Sequence, residues 1–158
     1  MISKKTFEIL GWVLFFEVIS YFLGSITQEN SANWYQTLNK SSLTPPAIIF
    51  PIVWSILYAI LAFAGYSLWQ NRSQPVIKLA LSFYVVQMLI NWIWTPLFFY
   101  FHFVAFSFFG IVMMVLLTLT IIYLTKDRLR FISVIFMPYF FWLIFAAYLN
   151  GAIWIINA

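Results

Sequence analysis

The sequence contains no cysteine, one histidine and only four acidic residues among its 158. The absence of cysteine excludes disulfides, thiolate chemistry and sulfur-ligated metals. His102 stands alone, and no pair of carboxylates shares a helix face, so no metal-ligand cluster can be drawn. There is no Ser/His/Asp set either, which leaves ordinary hydrolytic and acid–base catalysis without candidates. Charge of either sign is scarce. Charged residues make up 8% of the chain, against roughly 25% in a soluble domain.

What fills the chain is apolar. It is 65% hydrophobic and 23% aromatic, with a mean hydropathy of +0.97. Such a chain has too few polar side chains to cover its own surface, so lipid must be the solvent for most of it. The net charge of +4 is no nucleic-acid signature, because the basic residues stand at the ends of apolar runs. No nucleic acid is expected as a partner.

Five runs of membrane length predict an all-α integral membrane bundle of five transmembrane helices, a single domain over 1–158. The helices are expected at about 6–26, 46–69, 76–97, 103–124 and 131–156, with a long outer loop at 27–45. The first run follows Lys4 and Lys5, but it is too long for a signal h-region and carries Glu8 and Glu17. It is expected to be retained. Glu17 near mid-bilayer reads as a protonated acid bonded to a neighbouring helix, with a proton relay as the alternative. The second run opens on Pro45-Pro46, which suits a helix start, whereas Pro51 would fall inside and kink it. Ser55 and Ala59 form a small-xxx-small pair suited to close helix contact. After Pro75 the apolar stretch is twice a span, and Thr95-Pro96 places its break near 96–103.

Charge placement orients the bundle. Lys40 alone would lie on one side, and the other seven of the eight Lys and Arg residues on the opposite side. The positive-inside rule then places the N-terminus in the cytoplasm, with the 27–45 loop and the C-terminus outside.

Polar residues within the runs are unevenly spread. Gln87 and Asn91 share a face of helix three, with Trp94 three residues on, while Pro138, Trp142, Ala146 and Asn150 follow at four-residue spacing on helix five. Helix four offers only Ser107, Thr118 and Thr120, and reads as peripheral. An aromatic pocket among helices two, three and five follows, with a few donors to orient a ligand. Trp12, Trp69, Trp92 and Trp154 suit interface anchors instead. The 34–54 segment, polar and rich in proline between apolar runs, would be its lid.

Four blocks of residues resemble the TspO/MBR family, the bacterial tryptophan-rich sensory proteins and the mitochondrial translocator protein. They are Trp34-Tyr35 with Leu38, Lys40 and Thr44-Pro45-Pro46; Phe50-Pro51 with Trp54 and Leu57-Tyr58; the run 89–99 around Asn91-Trp92-Ile93-Trp94; and Pro138-Tyr139 with Trp142, Ala146, Asn150 and Trp154. The resemblance implies a bacterial membrane receptor or sensor, commonly a homodimer. It would bind tetrapyrroles such as protoporphyrin IX or haem, and benzodiazepine-type ligands, with no obligate cofactor. By position, Trp54, Asn91, Trp142 and Ala146 would line the cavity, with Trp34, Tyr35 and Pro45 closing it. Ser41 and Leu43 stand where the family has proline and an aromatic residue, and the sterol-associated pattern is missing from helix five. Two other functions stay in view: oxygen-dependent, light-driven degradation of bound porphyrin, in which Trp54 and Trp142 would take part, and transport of porphyrin or another hydrophobic cargo.

Overall fold

The computed structural model describes residues 4–158, and the side chains of all of these but Ser31 and Ala32. Five helices are long and apolar enough to cross a membrane. They are α1 Lys4–Asn30, α2 Ile49–Gln70, α3 Pro75–Thr95, α4 Val104–Thr125 and α5 Arg130–Ile156. At ~1.5 Å rise per residue each exceeds the ~30 Å hydrocarbon thickness. Among the described residues there is no strand.

The boundaries differ from expectation at three places. Helix one runs past 26 to Asn30 and on through a wide turn at Ser31–Tyr35, so about the first half of the expected 27–45 loop is helical. Hydropathy ends where the membrane ends, but the helix does not. Thr27 and Asn30 bond back to carbonyls four residues earlier, at 3.0 and 2.8 Å, and keep the polar end helical. Helix two starts at Ile49 rather than 46, which puts Pro51 in its first turn. There an amide proton has no helical acceptor, so no carbonyl is freed and no kink is required. Pro96 does not end helix three either. The chain continues through a wide turn at Pro96–Tyr100, closed by the Phe101 amide on the Pro96 carbonyl at 3.0 Å. The reversal comes at His102, whose φ of 57° is left-handed, a conformation that histidine adopts more readily than most side chains.

In space α1 packs on α2 and touches α3, while α4 lies between α3 and α5 and α2 reaches both α3 and α5. Helix four is therefore not peripheral. Its Ser107 and Thr118 are fully buried against its neighbours. Close approach comes from small residues, as expected of helices in lipid, but not from Ser55, which is exposed. Ala62, Ala64 and Gly65 of α2 and Ala80 of α3 are buried instead. A Cβ on Gly65 would stand 2.5 Å from the Tyr84 hydroxyl and 2.8 Å from the Trp12 ring, so this glycine lets α1, α2 and α3 meet. Only Phe16 of α1 is buried, and the outer faces of all five helices are apolar and exposed, as a lipid-facing surface requires.

Candidate ligand-binding site

The polar centre of the bundle is a network of four side chains from α2, α3 and α5. The Tyr58 hydroxyl donates to Asn91 Oδ1 at 2.7 Å, and Asn91 Nδ2 donates to the Tyr139 hydroxyl at 2.9 Å. Gln87 Nε2 also donates to Tyr139. In lipid a buried amide needs such partners, because no water is available to replace them. Asn91 is thus bonded at both ends, and Trp54 packs on the same network through Tyr58, ring centroids 5.7 Å apart.

One turn further along, two indoles stand at the same level, since Asn91 and Tyr139 lie three residues before Trp94 and Trp142 and are bonded to each other. Trp94 stacks on Phe98 at 5.3 Å, and Trp142 meets Phe50 at 6.1 Å and Phe145 at 5.8 Å. Both indole N–H groups are buried and find no acceptor, and neither end of the buried Asn150 amide has a partner. Ala146 is half-buried one turn from Trp142, packed against the core.

The roof comes from the end of helix one. Trp34 stacks on His102 with ring centroids 3.9 Å apart and meets Phe98 edge-on at 5.5 Å. Tyr35 packs on Phe98 and Phe99, and burial pushes its phenol above the ordinary tyrosine range. Lys40 Nζ donates to the Tyr35 and Leu38 carbonyls, both at 2.8 Å, and lies 4.8 Å over the Tyr35 ring. A cation at the carbonyl end of a helical turn satisfies groups the backbone leaves open. Pro45 is half-buried further along the loop.

The loop is then pinned to the end of α5. The Asn39 amide donates to Asn157 Oδ1 at 2.9 Å, and Asn157 Nδ2 donates back to the Asn39 carbonyl at 2.8 Å. Ser41 Oγ and the Tyr148 hydroxyl share a further bond of 2.7 Å. Ser41, which stands where the family has proline, here supplies an anchor. Of the expected residues, Trp34, Tyr35 and Trp94 meet around Phe98, Trp54 and Asn91 meet through Tyr58, and Trp142 is joined to the start of α2 by Phe50. The blocks that carry the resemblance contain Tyr58 and Tyr139, but their joint grip on Asn91 has no signal in spacing. Asn157 had no signal at all.

The protein matches the model of the TspO/MBR family over residues 12–155. The chain belongs to the TspO/MBR family. It is 32% identical to protein CrtK of Rhodobacter capsulatus over 130 residues, 78% of either chain. It is 30% identical to the tryptophan-rich protein TspO of Archaeoglobus fulgidus, over 87% of this chain and 89% of that one. The sheep translocator protein is 32% identical over 77% of this chain and 73% of its own. Family membership and five membrane-length helices identify an integral membrane protein with sensor and translocator relatives.

Proposed function

We propose that the chain is a membrane receptor that binds a tetrapyrrole, such as protoporphyrin IX or haem, beneath the 31–48 loop and among α2, α3 and α5. One observation carries the reading. Trp94 and Trp142 bury indole donors without acceptors at one level of the bundle, with the unpartnered Asn150 amide on the same helix as Trp142. Buried polar groups are nearly always paired, so donors left open between aromatic rings fit a ligand that brings its own acceptors and a flat apolar face. A porphyrin has both, and flat benzodiazepine-type ligands share the second. Entry would require the roof to lift, breaking the Asn39–Asn157 and Ser41–Tyr148 bonds. Trp54 and Trp142 would then form the walls.

The same reading places the loop outside a bacterial cell membrane and the Arg72 and Lys126 turns inside, following the charge bias. It takes the working unit as a homodimer, as the family resemblance implies. Ala80, fully buried within one chain, is not available to such an interface. The test is a titration of purified protein with protoporphyrin IX, haem and a sterol side by side, read by tryptophan quenching. Saturable quenching by a tetrapyrrole supports the reading, and none with any of the three refutes it.

A further inference from the structure

The end of the bundle opposite the loop carries a cleft that tetrapyrrole binding does not use. Its mouth, about 830 Å³, lies where α2 turns into α3 and is lined by Trp69, Arg72, Ser73, Lys78 and Ser82. A second space of about 310 Å³ runs down between α1 and α3, against Trp12, Phe16, Met88 and Leu89. Trp69, Leu81 and Val85 line both, so the two adjoin. None of the eight residues expected at the tetrapyrrole site lines either space.

The two parts differ in chemistry. The mouth holds two cations and two hydroxyls. Arg72 lies over the Trp69 ring at 4.0 Å and gives one N–H to the Trp69 carbonyl, which leaves further guanidinium donors for another acceptor. Lys78 is exposed in the first turn of α3. Of the two acids at this end, Asp127 stands in the turn between α4 and α5, and Glu8 is held by Tyr66 and Gln70 at 3.1 Å each rather than by either cation. The lower part is rings and aliphatic side chains, open toward the lipid-facing surface. Helix one needs something there, since Phe16 is its one buried side chain.

The geometry points to a binding site for one anionic phospholipid, with its phosphate between Arg72 and Lys78 and an acyl chain in the groove between α1 and α3. Charge complementarity selects an anionic headgroup, and the apolar groove beside the mouth selects a lipid over a soluble anion, which would leave the groove unfilled. Trp69 then sits at the headgroup boundary, where indoles are favoured. The lipid would brace α1 against α3.

The test is native mass spectrometry of the full chain released from micelles supplied with phosphatidylglycerol or phosphatidylcholine. The wild type should retain phosphatidylglycerol several-fold over phosphatidylcholine. R72Q with K78Q should remove that preference. V85W, which fills the groove at an exposed position, should lower retention of both lipids, and excess inorganic phosphate should displace neither. Equal retention of the two lipids by the wild type would overturn the assignment. So would a preference that survives in a folded R72Q/K78Q protein, or displacement by inorganic phosphate, which would make this a free-anion site. If the double variant does not fold, the wild-type comparison and V85W still decide.

Discussion

Asn91 shows how little freedom a buried amide has in this bundle. It accepts from Tyr58 and donates to Tyr139, so removing it leaves the Tyr58 hydroxyl without its acceptor. An orphaned buried hydroxyl costs about 1–3 kcal/mol. Asn91→Leu should therefore lower the thermal unfolding midpoint in detergent, and an unchanged midpoint would mean that the network contributes nothing. Tyr35 allows a second test at this scale. Its buried phenol lies above the ordinary range, so the closed loop keeps the proton where an opened loop would release it. Up to an ordinary tyrosine pKa of about 10 both states hold the proton, and above it opening is increasingly favoured. In a spectrophotometric titration, the wild-type minus Tyr35→Phe difference should have its midpoint above that value. A midpoint at or below it would place the phenol in water.

Between elements, contact is decided by what is small and by what is tied. Gly65→Ala would gain up to ~1 kcal/mol in helix propensity, but its Cβ would fall 2.5 Å from the Tyr84 hydroxyl. That hydroxyl is fixed on the Leu61 carbonyl at 2.8 Å and cannot swing aside freely. Overpacking costs typically about 1–3 kcal/mol, so the net effect should be a lower unfolding midpoint. A higher midpoint would show that Tyr84 yields. The loop should respond to a different change. Asn157→Ala removes both bonds to Asn39, and at ~1 kcal/mol each the open population should rise about tenfold or more. Trypsin should then cut after Lys40 correspondingly faster, while an unchanged rate would show that Asn157 does not hold the loop. These two elements were not equally legible. Helix positions could be read because apolar length is a property of consecutive residues. The Asn39–Asn157 pairing could not, because two ordinary asparagines 118 residues apart carry no pattern. The helical end of α1 was hidden for the converse reason: Gln28, Glu29 and Asn30 look like loop by polarity but continue a helix beyond the lipid.

At the scale of the whole molecule the bundle has two unlike ends. One is roofed by Trp34 and Tyr35 over aromatic rings with open donors, and the other presents Arg72 and Lys78 at the mouth of an apolar groove. Family blocks in the sequence pointed to the first end, because aromatic residues at helical spacing already shared faces there. The second went unread, since its lining comes from three helices whose contact only the fold supplies. We propose that the first end holds a tetrapyrrole between Trp54 and Trp142. Protoporphyrin IX should quench the tryptophan fluorescence of the wild type to saturation. W54A with W142A, if it still unfolds cooperatively, should lose that saturable component and leave only the weak linear quenching of free porphyrin in detergent. Saturable quenching of undiminished affinity in the double variant would contradict the claim and place the ligand elsewhere.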